Sequence, residues 1–265
     1  MLKLHVGCSV QTIKQFNFPA GEVGVQIMEC GSSERVVVSA YIKNSDDLVA
    51  LLMLSDAIDR KYGSCEKILN LPYVPYARQD RVCNEGESLS ISVFANMINS
   101  CNWSKVKILD PHSDVTPALI KNCVVTESHE VFKKQLNDFY VVAPDAGAYK
   151  KAYKWAQKKN AKGVLCANKV RDVRNGNILS VSLDNIPENA NLLVVDDICD
   201  GGRTFTEVAK VVKGHSKLQL FVTHGIFTKG IDQLTEVYDH IYTTNSYHGE
   251  VPENLKHSKI TWISV

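Results

Sequence analysis

The feature that most limits how this chain can fold is an alternation. Short apolar, β-branched runs are separated by segments of helical periodicity along the sequence, and polar clusters follow several of the runs at once. "ERVVVSAYI" reads as a buried strand and "NSDDLVALLMLSDAIDRKYG" as a helix. That helix has Asn44 or Ser45 as N-cap, apolar positions at 48, 51, 52, 54 and 58, and Gly63 at its end. "EKILNLPYVPY" reads as a strand entering a loop, "SLSISVFANMINS" as a second helix and "KVKILDPHSD" as a strand with a polar exit. The second half repeats the theme in "DFYVVAPDAGAYKKAYKWAQKKN", "KGVLCANK", "NLLVVDDICDGGRTFTEVAKVV" and "KLQLFVTHGIF". Such alternation predicts an α/β fold of mainly parallel sheets flanked by helices, and sheets of that kind bind ligands beyond the carboxyl ends of their strands. Two halves are expected, residues 1–130 and 131–265, with a junction near 126–140 and a site between them. "DVRNGN" (172–177) reads as a turn or hairpin.

Bulk properties exclude more than they select. With Lys+Arg 30 against Asp+Glu 29, the formal charge is +1, which gives no argument for nucleic acid or a membrane surface as partner. The cysteines at 8, 30, 65, 83, 101, 123, 166 and 199 are scattered without a C-x-x-C pair, as expected of free thiols in a reducing compartment. The opening "MLKLHVGCSV" lacks the apolar core of a signal peptide, and no apolar run approaches membrane-spanning length. The expectation is a soluble cytoplasmic protein.

Chemistry-bearing residues sit where strands are expected to end: Arg78-Gln79-Asp80, Asp110 with His112, Asp145, and Asp196 through Thr204. In "NLLVVDDICDGGRTFTEVAKVV" a strand is expected to end at Asp196 and a helix to begin near Thr204. Gly201 and Gly202 let the backbone turn tightly, so that consecutive N–H groups face one concavity, and the helix start adds donors and partial positive charge. A phosphate suits that cradle, while Asp196 and Asp197 suit sugar hydroxyls or an Mg²⁺-bound ligand. Taken alone, the pattern fits a capped βα turn equally well. Asp110 and His112 stand two apart at a strand end, so their side chains are expected to face the same way. Magnesium prefers oxygen ligands and favours the aspartate of that pair.

"VVDD" with its Gly/Thr loop resembles the ribose-phosphate loop of the phosphoribosyltransferase superfamily. "YVPYARQDR" (73–81) is very similar to the signature of ribose-phosphate pyrophosphokinases, the phosphoribosyl-pyrophosphate synthetases. "DPHS" (110–113), "VVAPDAGAYKKA" (141–152) and "FVTHGIF" (221–227) follow in that family's order. The resemblance implies two phosphoribosyltransferase-like domains and an Mg²⁺-dependent diphosphotransferase using ATP. Arg78, Gln79 and Asp80 would meet the polyphosphate and adenine, although an Arg–Asp surface pair is the usual fate of such residues. His112 is implied as a metal or ATP-phosphate contact, and Asp145 as a second metal site near the acceptor ribose. Asp196, Asp197 and Asp200 would hold the ribose hydroxyls, and Gly201, Gly202, Arg203 and Thr204 the 5-phosphate. Lys169 and Arg171 fall on the family's catalytic-loop Lys-x-Arg pair; by sequence alone they fit a solvated basic hairpin. Cations at the developing charge are what phosphoryl transfer needs. "FNFPAGEVGVQI" (16–27) matches a segment that reaches ATP's adenine from a neighbouring subunit, with Phe18 stacking and Glu22 accepting from the amino group, which implies a homo-oligomer.

The departures are specific. Ala20 stands where the family usually has Asn, and Asp200-Gly201-Gly202-Arg203-Thr204 where it reads Asp-Thr-Gly-Gly-Thr or similar. The loop has lost a hydroxyl and gained a long cation, which raises a 5′-extended acceptor such as ADP-ribose as an alternative to ribose 5-phosphate. "VCNEGESLS" is acidic where family members are basic, and "KITWISV" lacks the family's terminal helix, so the usual hexamer and regulation by phosphate or ADP are not carried over. Two further alternatives are a phosphoribosyltransferase, which has no use for "RQD", "DPH" or the Lys-x-Arg pair, and an inactive regulatory relative.

Overall fold

The computed structural model describes residues 1–28, 34–171, 178–183, 185–212 and 215–265, with backbone only for 169–171 and 178–181. The chain divides into two compact units, Met1–Thr126 and Glu127–Val265. The "DVRNGN" turn at 172–177 lies outside the described residues.

In the first unit, β1 (Leu2–Val6), β2 (Ser9–Gln11), β3 (Ile13–Asn17), β4 (Val23–Ile27) and β5 (Arg35–Ala40) precede α1 (Ser45–Tyr62) and β6 (Glu66–Leu71). Then come α2 (Ser90–Ser100), β7 (Lys105–Leu109), α3 (Val115–Leu119) and β8 (Cys123–Thr126). The sheet order is β2-β1-β5-β6-β7-β8, with β5 through β8 parallel and β1 antiparallel to both its neighbours. A separate β3–β4 ribbon packs against α1. Local chemistry sets the limits of α1. Asn44 accepts the Asp47 N–H through its side chain, and Gly63, at φ 61°, donates to Asp59 O. Its buried face (Leu48, Leu51, Leu54, Ile58) meets Val36, Val38 and Leu69 from the sheet.

The second unit contains α4 (Ser128–Val131), β9 (Phe139–Ala143), α5 (Tyr149–Lys158), β10 (Val164–Cys166), β11 (Asn168–Arg171) and β12 (Ile178–Ser182). After these come β13 (Ala190–Cys199), α6 (Arg203–Val211), β14 (His215–Gly225), α7 (Asp232–Val237), β15 (His240–Thr244), a 3₁₀ turn at Glu253–Leu255, and β16 (Ile260–Ile263). Its six-stranded sheet, in the order β10-β9-β13-β14-β15-β16, is parallel throughout, and β11–β12 form an antiparallel ribbon. Alternation along β13 feeds two cores. Leu192 and Val194 pack with Phe205, Val208 and Leu234 on the α6–α7 side, and Leu193 and Val195 with Trp155 and Phe132 on the α5 side. The α/β architecture with mainly parallel sheets matches the sequence expectation.

One boundary differs. β13 runs three residues past Asp196, because β14 continues beside it and pairs Ile198 with His224 and Cys199 with Gly225. The acidic pair lies within the strand, and α6 begins at Arg203 rather than Thr204. The described cysteines, which leave out Cys30, are free. Among the described residues, no helix is long and apolar enough to cross a membrane.

Candidate active site

In the second sheet, β9 leads through α5 to β10 on one side, while β13 lies on its other side. Strand order reverses between β9 and β13, and the crevice beyond the carboxyl ends at such a reversal is where doubly wound sheets take ligands. Asp145 leaves β9 there, and Asp196 and Asp197 are carried there by β13. The partly buried Asp145 carboxylate accepts the Ala148 N–H at 3.1 Å, which fixes it at the entry to α5.

Asp197 is 5% exposed and on the α5 side of the sheet, where Lys151 Nζ stands 3.8 Å from its Oδ2. Asp196 Oδ1 accepts the Asp197 N–H at 2.9 Å. Burial pushes the Asp196 carboxyl well above the ordinary carboxylate range, the Asp197 charge and a hydrogen bond between the two carboxyls push the same way, and Lys151 acts in opposition. Asp196 therefore keeps its proton to higher pH than an ordinary aspartate. Sequence reasoning missed Lys151; in "YKKAYKW" it has the look of a solvated basic face, and only the packing of α5 on β13 turns it inward.

Beyond the pair, the chain turns. Gly202 has φ 78°, a left-handed conformation that favours glycine, and α6 closes its first bonds from Phe205 and Thr206 to Gly202 O at 3.0 and 3.1 Å. Arg203 and Thr204 thus precede the helical ladder at the electropositive end of α6. Burial, then the Asp196 and Asp200 charges, push the Cys199 thiol far up, so it stays protonated. Asp200 is bound on its far side by Thr228, whose hydroxyl donates to Oδ1 at 2.7 Å.

In the first unit, Arg78-Gln79-Asp80 follows β6 and Asp110 follows β7, adjacent strands joined by a Leu109 N–H to Pro72 O bond of 3.3 Å. Tyr76, at φ 63°, turns the segment, and its ring rests 5.9 Å from that of Phe94. Arg78 and Gln79 are exposed and Asp80 half-buried. Asp110 and His112, which an extended strand would allow to face the same way, differ in exposure. The strand stops at Leu109, Asp110 adopts φ 41° and is 1% exposed, and His112 is exposed, so strand alternation does not carry across the left-handed residue. Phe18 and Glu22 close the tip of the β3–β4 ribbon through a Phe18 N–H to Glu22 O bond of 2.8 Å; Phe18 is 52% exposed. Lys169 and Arg171 lie on β11, with side chains outside the described residues.

The described residues hold no group of three or more His, Cys, Asp or Glu suited to a metal ion. Magnesium needs none, since it is commonly held by one or two carboxylates with water and substrate phosphates. Asp145, a hard oxygen donor fixed at the reversal point, fits that requirement.

An all-parallel sheet with carboxylates and a glycine turn at its reversal point defines a doubly wound α/β protein with a ligand crevice at the carboxyl ends of its strands. Comparison with known proteins narrows the class. A model of the N-terminal domain of ribose phosphate pyrophosphokinase matches residues 2–101. The ribose-phosphate pyrophosphokinase of Pyrococcus furiosus is 30% identical over 237 residues, 86% of this chain and 84% of that one. That of Thermococcus kodakarensis is 29% identical over 267 residues, 95% and 94% of the two chains. The crystal structure of phosphoribosylpyrophosphate synthetase from Mycobacterium smegmatis superposes with a TM-score of 0.82 at 20% identity, covering 97% of this chain and 87% of that one. The chain belongs to the ribose-phosphate pyrophosphokinase family, and it is a transferase of that type.

Proposed function

We propose that the protein transfers the β,γ-diphosphoryl group of ATP to the anomeric hydroxyl of ribose 5-phosphate, leaving AMP and the sugar 1-diphosphate. The sugar O1–Pβ bond forms as the bond from Pβ to the α-phosphate oxygen breaks, and the anomeric proton is released. The observation that carries the reading is the sequence of groups on one strand end: two adjacent carboxyls, one of them buried and raised in its titration, then Asp200, a glycine turn and a helix start.

In this reading the first unit is the ATP side, with Arg78, Gln79 and Asp80 on the nucleotide. Phe18 and Glu22 would reach the adenine bound to a neighbouring subunit of a homo-oligomer. The second unit is the acceptor side. A protonated Asp196 can donate to one ribose hydroxyl while ionised Asp197 accepts from another, and Asp200, held by Thr228, faces the same sugar. Residues 201–204 would take the 5-phosphate, with Arg203 adding a charge. Lys169 and Arg171 would steady charge on the moving group. His112, a weaker nitrogen contact, would stand near the Mg²⁺ on the ATP phosphates, and Asp145 would hold a second ion on the acceptor side; bound magnesium neutralises phosphate charge.

The relatives named above are ribose-phosphate pyrophosphokinases, and none supports the 5′-extended acceptor raised by Arg203. The test is AMP formation from ATP and ribose 5-phosphate with Mg²⁺ and no nucleobase. Lys169→Ala is expected to lower kcat by about 100-fold or more, the scale seen when a transition-state donor is removed. No AMP from the wild type would refute the proposal, and unchanged turnover in Lys169→Ala would remove that residue from the mechanism.

A further inference from the structure

We infer that Lys229 is a specificity-determining residue of the acceptor loop: laid across Gly201 by a segment fastened to Asp200, it supplies a positive charge to the 5-phosphate of the sugar. This rests on the functional reading above and adds to it a residue outside the 196–204 motif.

The segment after β14 is bound to the end of β13 at several points. The N–H groups of Ile226 and Phe227 donate to Cys199 O at 2.9 and 3.1 Å, and Thr228 donates to Asp200 O at 3.2 Å. The Thr228 hydroxyl reaches Asp200 Oδ1 at 2.7 Å. Phe227, at φ 53°, and Gly230, at φ 76°, bend the chain on either side of Lys229. The main chain therefore places Lys229 over the glycine turn. Its methylenes run along the α-face of Gly201: a β-carbon built there would meet Lys229 Cδ, Cε and Cγ at 3.5, 3.6 and 3.7 Å. The ammonium is one bond past Cε, and the residue is exposed to an incoming ligand.

Electrostatics gives the cation a purpose. A sugar phosphate brings a charge of about −1.5 to −2 at neutral pH to a loop that opens with the Asp200 carboxylate. The raised titration of Asp196 lessens repulsion from the Asp196–Asp197 pair, and the α6 dipole supplies only a partial charge. Arg203 and Lys229 add full charges to the turn.

Initial rates of AMP formation for wild type, Lys229→Gln and Lys229→Arg, with calorimetric binding of ribose 5-phosphate, test the assignment. Lys229→Gln is expected to raise KM for ribose 5-phosphate about fivefold, as for loss of one charge-assisted phosphate contact at an open site. KM for ATP and kcat stay unchanged, Lys229→Arg restores the wild-type KM, and high salt shrinks the difference. An unchanged KM in Lys229→Gln, or a fall in kcat at constant KM, overturns the inference while the activity itself stands. A wild type that makes no AMP from ribose 5-phosphate overturns the functional reading, and the inference falls with it.

Discussion

Asp196→Asn tests the raised titration of Asp196 directly, through stability rather than activity. An unfolded aspartate loses its proton near pH 4, at about 3.9. In the folded chain, burial and the Asp197 charge make the Asp196 carboxyl hold its proton to higher pH. Between the two titrations the native state carries one proton more than the unfolded state. Unfolding free energy must then fall as pH rises, by at most 2.303RT, or about 1.4 kcal/mol per pH unit. That contribution is fully present below the unfolded titration and is lost as pH climbs through the folded one. Asparagine has no proton to lose, yet its amide oxygen can still accept the Asp197 N–H and its NH₂ can still donate to the Asp197 carboxylate. The variant should therefore gain on the wild type by up to about 1.4 kcal/mol for each pH unit above 4, levelling off where the pair titrates. Urea unfolding from acid to neutral pH measures this. A Trp103→Phe background confines the fluorescence signal to Trp155 and Trp262, both in the second unit. Parallel stability curves for the two proteins, or a variant that loses ground as pH rises, would refute the raised titration.

Two other substitutions address the framework. Gly202→Ala forces a side chain into φ 78° with its Cβ 3.4 Å from Leu234 Cδ2, so it should destabilise the second unit by about 1–2 kcal/mol in urea melts and weaken ribose 5-phosphate binding. A fully stable Ala variant would contradict the left-handed turn. Lys67 is 3% exposed; its ammonium donates to Ser55 Oγ at 2.9 Å and to both Asp59 oxygens at 2.6 and 2.7 Å, and stands 5.2 Å from the Trp103 ring centroid. Lys67→Met keeps the stem but loses those bonds, and because Asp59 remains solvated the cost should be about 1–2 kcal/mol in first-unit stability. Michaelis constants should not change, since Lys67 lies near the start of β6, away from the Arg78–Asp80 exit.

What the sequence made legible was local. Asn44 and Gly63 mark the ends of α1 because capping is decided within one turn of chain, and the apolar runs mark the strands because each fills a buried sheet position. What it hid depends on neighbours. The last residues of β13 look like loop after Asp196-Asp197, and they are strand only because β14 offers partners as far as Gly225. Asp110 looks like a strand residue paired in direction with His112, but a left-handed φ buries it and leaves the histidine exposed. Asp145 and Asp196 stand at the ends of adjacent strands because of the order of strands, which periodicity does not encode. Lys151 and Lys229 look like ordinary surface lysines until α5 and the 226–230 segment are set against β13.

These hidden neighbours resolve the conflict that the motif presents when read as a string. A phosphate cradle placed next to carboxylates would repel its own ligand if each carboxylate carried full charge at low dielectric. Here the load is divided. Burial makes Asp196 keep its proton to higher pH, and Lys151 faces the Asp197 carboxylate on the α5 side. Thr228 engages an Asp200 oxygen on the far side of the turn. In the proposed reading, hydroxyl recognition falls to the Asp196–Asp197 pair and phosphate recognition to a turn with Arg203 and Lys229 beside it. One strand end could serve both because the sheet separates them by face: β13 directs Asp197 toward α5 and hands the chain to α6 on the other side.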